Sequence, residues 1–550
     1  MTVDLEERAT DAPAAARPRR RWVVPLLVLV LLGQMAAAMV TTAVQQTPTI
    51  DEPVYVGTAV TYLEQHSLRY NPEHPPLGKQ LIAVGLAFAS PRMDPAFRGD
   101  QTQLGRHVLY EAGNDPYRLM LLARLPMILL TLLFGLVVFA FARDLTGAAG
   151  GVLALALYAF SPDVITHGSL ATLDVPAIGF LLTAVWLTWR ARDRPRVYLP
   201  LAGVALGAAI ATRASVLPAV PVVLLLALLA TPAWRRGVPM RARLRGLAAV
   251  AGVGVVAVLV VWVSYLAVDP SLRWTEPIGT PVVHGVRGLL AGWLPLPEPY
   301  RDGMRIQFGF EDSTFSGFLF GRHYQGSLWY YLPAALLVKT PLGMLVLWLA
   351  GSVAMLAVPR LRTAALYVLV LPALLLAVAM TGARDFGTRY AIFMPVFLAV
   401  AAAAVVTLRW RWAPVAAGLL ALFVAVSSVR TFPYYLPYSN EAFGGPARTH
   451  LRLHDSNVDW GQDLGRLADR LRERYPGEQV WLVYKGAGVP SAYGISARDP
   501  LRVPPGEVHG LLVVSDSSVA KATGRLAALL RTSGEPVDEV GHSISIYRRP

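Results

Sequence analysis

The chain contains no cysteine among its 550 residues. Disulfides, thiolate metal centres and cysteine nucleophiles are excluded with it. Charge is scarce as well. Only 16% of residues are Asp, Glu, Lys or Arg, where soluble domains carry about a quarter. Lysine is nearly missing, with Lys79, Lys339, Lys485 and Lys521 alone, so the net charge of +14 is almost wholly arginine. What fills the space is apolar: 54% hydrophobic residues and a mean hydropathy of +0.46. This composition excludes a soluble multidomain enzyme, a disordered chain and a collagen-like one. The arginines lie beside apolar runs and no DNA- or RNA-binding motif is present. The basic balance therefore points to membrane topology and not to nucleic acid.

Residues 1–21 are polar and read as a disordered cytoplasmic tail. The apolar run from Val23 to about 43 is long enough to cross a hydrocarbon core of ~30 Å. Further runs lie near 120–142, 147–161, 172–189, 198–212, 215–232, 246–267, 328–357, 363–381, 389–407 and 412–430. Together they predict about eleven spans, the short 147–161 and 198–212 runs being candidates for a re-entrant segment. A cytoplasmic N-terminus puts the arginine-dense segments Arg190–Arg196, Arg235–Arg245, Arg360–Arg362 and Arg409–Trp412 inside. It puts two long loops outside, about 45–119 and 268–326, richer in Asp, Glu, His, Trp and Pro. Past 430 the pattern changes. Leu464, Leu467 and Leu471 have helical spacing, 479–485 and 508–515 read as buried strands, 519–531 as a helix, and 542–547 alternates like a strand. The expected protein is an α-helical, multi-pass plasma-membrane protein. It has a transmembrane module over 22–430 and a small extracytoplasmic α/β domain over 431–550.

The first outer loop carries Asp51-Glu52-Pro53-Val54-Tyr55, then Asn71-Pro72-Glu73-His74-Pro75-Pro76-Leu77-Gly78-Lys79. Taken as local structure, Asp51 caps a helix whose first turn holds Pro53. The two prolines stiffen the second block and set His74 and Lys79 at a helix start. A lysine there either holds an anionic phosphate or snorkels from an interfacial turn. Asp174 reads as a cap of the fourth span. Lys339-Thr340-Pro341 interrupts an apolar run, where an ionisable group is a functional candidate. Arg389, outside the tenth span, breaks the inside-positive pattern, and with Arg322 and His323 it favours an anionic partner. The segment Asp455-Ser456-Asn457-Val458-Asp459-Trp460-Gly461-Gln462-Asp463 suggests metal or sugar binding, or more simply turns, a helix start and packing on the membrane module.

The acidic pair after the first span, followed by His-Pro-Pro-Leu-Gly-Lys, resembles the protein O-mannosyltransferases and the lipid A aminoarabinose transferases. These are GT-C-fold enzymes that use polyprenyl-phosphate sugars. Asn440-Glu441-Ala442-Phe443-Gly444-Gly445-Pro446, the Asp455–Asp463 segment and Gly387-Thr388-Arg389-Tyr390 are similar to bacterial phospholipid-carrier-dependent members. The resemblance implies an inverting transfer of a sugar, mannose first, from a polyprenyl-phosphate donor. The acceptor hydroxyl belongs to a protein, lipid or glycan at the outer face, among membrane lipids. It implies catalytic roles for Asp51, as the acceptor's base, and for Glu52 and Asp174. Lys79, Arg213, Lys339 and Arg389 would bind the donor phosphate, Arg213 standing where relatives often have lysine. Tyr55, His74, Arg322, His323 and Tyr390 would bind substrate. No cofactor is implied. A divalent metal is left open, with Asp51, Glu52, Glu73, His74 and Asp174 as donors. The competing readings are a transporter or flippase of a lipid-linked sugar, which predicts inverted repeats and midplane charge, and a non-catalytic envelope-assembly protein. The transferase reading requires Asp51, Lys79, Asp174, Arg213 and Arg389 to line one outward cavity.

Overall fold

The computed structural model describes residues 22–231, 233 and 237–550. The tail expected over 1–21 lies outside the described residues, as do Arg235 and Arg236. Among the described residues six helices are long and apolar enough to cross a membrane: Val23–Gln45, Pro116–Thr146, Pro195–Thr212, Met240–Leu266, Pro359–Ala379 and Ala413–Thr431. Two bent pairs raise the number to eight if each is one span. The chain is thus a multi-pass membrane protein. The expected eleven full spans reduce to these, because several apolar runs are short or broken. Asp174–Arg190 has 17 residues. The 215–232 and 389–407 runs form the shorter helical stretches Ala214–Ala230 and Phe393–Thr407.

The 328–357 run is broken at Thr340-Pro341 into Tyr331–Lys339 and Leu342–Ala357, which meet at 117°. Proline has no N–H to continue the helix, so carbonyls at membrane depth need other donors. Asn440 supplies them: its side-chain nitrogen donates to the carbonyls of Leu337 (2.7 Å) and Thr340 (2.9 Å), and its backbone N–H to Val338 (2.9 Å). The short 147–161 run likewise turns by 64° into Pro162–Gly168.

The loop over 45–119 folds into helices α1 (Glu52–Gln65) and α2 (Pro76–Leu86), the latter starting at the second proline as the sequence predicts. The loop over 268–326 holds helices Gly285–Trp293 and Glu298–Glu311 and a hairpin of β1 (Ser316–Leu319) and β2 (Arg322–Gln325). After Thr431 an irregular stretch leads to helix Leu464–Arg474 and a five-stranded sheet. Its strands are β3 (Val480–Val483), β4 (Ala497–Arg498), β5 (Gly510–Ser515), β6 (Asp538–Val540) and β7 (Ile544–Arg549), in the order β4-β3-β5-β7-β6. Strand β3 is parallel to β4 and β5, while β7 is antiparallel to β5 and β6. The apolar run of β5 is buried on both faces, as such a run requires. Leu511 and Val513 pack with Leu464, Leu467 and Leu471, and Leu512 and Val514 with Leu526 and Leu529. The helix expected over 519–531 is two, Asp516–Ala520 and Gly524–Ser533.

This α/β unit grips the membrane module beside the acidic pair. The N–H of Thr47 donates to Gln462 O and that of Ile50 to Trp460 O, both at 3.0 Å. Trp460 is fully buried.

Candidate active site

Asp51 and Glu52 are adjacent in sequence and point to different tasks. Glu52 is completely buried. Arg124 meets it with a two-toothed fork, Nε to Oε1 and Nη2 to Oε2, both 2.7 Å. Its oxygens also accept the N–H of Ala171 (2.8 Å) and the N–H and hydroxyl of Thr49 (2.9 and 3.0 Å). Burial alone raises a carboxyl, but Arg124 and these donors hold Glu52 below its ordinary value. Arg124 in turn binds the carbonyls of Ala43, Gln46 and Thr47. Glu52, expected to be catalytic, is therefore the lock that closes the loop onto the first span. No face of its carboxylate is left for a substrate.

Asp51 precedes α1 but makes no capping hydrogen bond. Its half-buried carboxylate instead accepts Arg389 Nη1 at 2.5 Å. The capping role read from the sequence does not hold. Arg389 lies on a short turn, Thr388–Ala391, and its guanidinium carbon sits 4.3 Å from the Trp460 ring centroid. Tyr390 and Asp51 hold this guanidinium more firmly protonated than usual, against the effect of burial.

Three arginines converge on Tyr390. The guanidinium carbons of Arg389, Arg384 and Arg213 stand 5.0, 5.8 and 5.9 Å from its ring centroid. A carboxylate from a different element holds each one. Arg389 pairs with Asp51, Arg213 with Asp174 at the first turn of Asp174–Arg190, and Arg384 with Glu311 at the end of Glu298–Glu311 (2.6 Å). Arg384 also bonds Gln307 Oε1 at 3.1 Å, and Gln307 donates to Glu73 O at 3.2 Å. Through these pairs the loops over 45–119 and 268–326 and the 382–390 loop meet around one ring. Tyr55 and His74, in edge-to-face contact at 5.7 Å, lie within electrostatic reach of Arg213 and Arg389. His74 Nδ1 is buried with no hydrogen-bond partner. Burial first, then Arg213 and Lys79, depress the imidazole well below its usual value, so it is neutral.

Of the five residues expected to share a cavity, Asp51, Asp174, Arg213 and Arg389 come together and Lys79 does not. Lys79 is fully buried and gives its ammonium to Asn71 O (2.7 Å), Asn71 Oδ1 (3.2 Å) and His74 O (2.7 Å). It staples the proline loop and has no proton free for a phosphate. Burial brings it down to about 7, with Glu73 opposing. Lys339 is a second staple, bonded to Leu436 O (2.5 Å) and Asn457 O (3.0 Å) with Asp163 at 3.8 Å. Its expected phosphate role fails for the same reason. Arg322 and His323 stand exposed on β2, apart from the cluster. Among the described residues no group of three His, Asp or Glu is placed to hold a metal. Of the carboxylates offered for one, Asp51, Glu52 and Asp174 are paired with arginines, and Glu73 accepts Gln101 Nε2 at 2.8 Å. The Asp455–Asp463 segment is local and interdomain structure: Asp459 accepts the Gly461 N–H, and Asp463 bonds Ser543 and Arg466.

Sequence reading missed Arg384, Glu311 and Gln307 as parts of the site, and held Trp460 only within the Asp455–Asp463 segment. Arg384 carried a usable signal. Like Arg389 it is an arginine in a loop that the inside-positive rule leaves outside.

Residues 28–274 match the sequence model of the family described as dolichyl-phosphate-mannose-protein mannosyltransferase. The match covers the stretch with the acidic pair and the His-Pro-Pro-Leu-Gly-Lys block and bears out the resemblance drawn from them. Among solved structures the chain is similar to ArnT from Cupriavidus metallidurans bound to undecaprenyl phosphate. Identity there is 16%, the TM-score 0.48, and coverage 95% of this chain and 97% of that one. It is similar to the Archaeoglobus fulgidus oligosaccharyltransferase, at 12% identity and a TM-score of 0.48, over 83% of this chain and 59% of that one. The S. cerevisiae Pmt1-Pmt2 complex bound to the sugar donor follows, at 18% identity and a TM-score of 0.36, over 46% of this chain and 36% of that one. Comparison with curated proteins finds no match.

Proposed function

We propose that the chain is an inverting glycosyltransferase that moves a sugar from a polyprenyl-phosphate donor to an acceptor hydroxyl at the outer face of the membrane. The observation that carries this reading is the convergence of Arg213, Arg384 and Arg389 on Tyr390 beside Asp51. Guanidinium forks match phosphate oxygens, and preorganised cations act most strongly on charge that develops as a phosphate departs. Their present partners, Asp174, Glu311 and Asp51, position them.

A donor phosphate that engages Arg389 competes with Asp51 for the same guanidinium. The freed carboxylate then accepts the proton of the incoming hydroxyl as general base. The sugar passes through an oxocarbenium-like state, and one displacement inverts its anomeric carbon. Neutral His74 and Tyr55 border the sugar. Mannose is the first candidate, supported by the family match. The cytoplasmic N-terminus and outer position of the α/β unit follow from the arginine distribution.

The test uses full-length protein in nanodiscs, labelled polyprenyl-phosphate sugars and a solubilised envelope extract as acceptor source. Wild type is expected to move label from the lipid and Asp51→Asn to move none. Arg389→Lys should raise the donor KM about tenfold or more, since a charge-assisted fork is worth about 1.5–3 kcal/mol. Equal transfer by Asp51→Asn removes Asp51 from the chemistry. An unchanged donor KM in Arg389→Lys removes the arginine cluster from donor binding.

A further inference from the structure

The seam between the α/β unit and the membrane module holds two lysines that no carbonyl cage encloses. Lys485 lies just past the end of β3 and pairs with Asp455. Lys521 follows helix Asp516–Ala520, which continues from β5. Its ammonium has no hydrogen bond among the described residues and stands 5.6 Å from the Phe386 ring centroid. Phe386 is fixed there by Ser456, whose N–H and hydroxyl both donate to its carbonyl (3.1 and 2.6 Å). It is three positions before Arg389, and Asp455 lies within electrostatic reach of that guanidinium.

The sheet topology singles out the same place. The chain leaves β3 for β4 on one side and returns to β5 on the other, all three parallel. The carboxyl ends of β3 and β5 therefore flank a topological switch point, where open α/β sheets bind ligands. Both ammonium groups face Asp455 there, and Asp459, which burial raises to about 7, lies within electrostatic reach of Lys485. Buried His454 beside them is brought down to about 3, first by burial and then by Lys521, so it is uncharged. Both lysines are partly exposed. Unlike Lys79 and Lys339, neither is enclosed by backbone carbonyls.

We propose that Lys485 and Lys521, the latter over Phe386, form an anion-binding subsite that receives a phosphate or carboxylate group of the acceptor as its hydroxyl is led to Asp51. The anion site stands on this geometry; its assignment to the acceptor rests on the transferase reading.

The test is competitive acylation of full-length protein in nanodiscs by a water-soluble acetyl ester, read residue by residue by mass spectrometry. Burial and Lys485 bring Lys521 down to about 8, which leaves it reactive near neutral pH. Inorganic phosphate, at ionic strength balanced with chloride, is expected to slow Lys521 acylation about tenfold at saturation through charge-assisted hydrogen bonds. Asp51→Asn should show the same protection. A polyprenyl phosphate should leave Lys521 unprotected. In Lys521→Gln, which removes no hydrogen bond of the fold, phosphate protection of Lys485 should fall severalfold. Acylation unaffected by phosphate, protection by the polyprenyl phosphate, or undiminished protection of Lys485 in Lys521→Gln overturns the proposal. Protection in a protein that transfers no sugar keeps the anion site and removes the transferase reading. Transfer without protection does the reverse.

Discussion

Glu52 and Asp51 give the sharpest test of how the site is built, because two adjacent acids should fail in opposite ways. Glu52 accepts five hydrogen bonds between 2.7 and 3.0 Å, two of them from Arg124, and both side chains of the pair are 0% exposed. Glu52→Ala leaves the Arg124 charge buried with only carbonyls around it, which costs about 3–5 kcal/mol. Glu52→Gln keeps the volume but turns an amide N–H₂ against Arg124, Thr49 or Ala171, all donors, and one unmatched buried donor costs about 1–3 kcal/mol. Asp51→Asn alters one pair whose acid is 27% exposed, and its effect on stability should stay within about 1 kcal/mol. Thermal unfolding followed by tryptophan fluorescence, alongside sugar transfer, separates the cases. Glu52→Gln should melt earlier and retain transfer at low temperature, while Asp51→Asn should melt like wild type and transfer nothing. A Glu52→Gln protein with a wild-type midpoint and no transfer would refute the assignment of Glu52 to structure.

Two further outcomes follow from the α/β unit and its seam. Burial raises Asp459 to about 7 from 3.8, so the folded state keeps a proton that the unfolded chain loses. Its contribution to stability is complete below about 4 and disappears as pH rises through 7. Asp455, lowered to about 2 against the effect of burial, chiefly by Lys485, contributes above 3.8 and loses that contribution as pH falls toward 2. Chemical denaturation across pH 4–7 should show the falling limb in wild type and lose it in Asp459→Asn; a limb that persists there belongs to another group. Gly387 has φ +146°, and a Cβ at this position runs into Ser456 Oγ. Gly387→Ala should therefore shift the turn bearing Arg389, costing about 1–3 kcal/mol and weakening donor binding. Wild-type donor kinetics in this variant would show that the turn tolerates the shift.

Much of this fold is legible in the sequence wherever the signal is local. The start of α2 at Pro76 follows from two prolines, and the burial of β5 from an unbroken apolar run. The convergence of acids and arginines was legible only in part. Asp51 and Arg389 drew notice, one by motif and the other by breaking the charge asymmetry. Arg384 did not, because its partners Gln307 and Glu311 lie 77 and 73 residues away. A span count fails for a related reason. Hydropathy sees the 328–357 run as continuous, whereas the bend at Pro341 is held by Asn440, which hydropathy does not connect to it.

The misplaced lysines have a chemical explanation. An ammonium is a compact, rotatable tripod of donors, suited to carbonyls that converge from several directions. A guanidinium is a flat fork that matches the two oxygens of a carboxylate or phosphate. A chain that is overwhelmingly arginine keeps lysine where a fork would not serve. Lys79 gathers two carbonyls and an amide oxygen of its own loop, and Lys339 gathers carbonyls from two distant segments. The forks go to Asp51, Glu52, Asp174 and Glu311. Every residue carries a carbonyl, so sequence gives no hint of a carbonyl cage, and a buried lysine beside a motif is easily taken for a phosphate ligand. By the same chemistry Lys485, held by one carboxylate, and Lys521, with no hydrogen bond among the described residues, are the lysines that suit the proposed anion site.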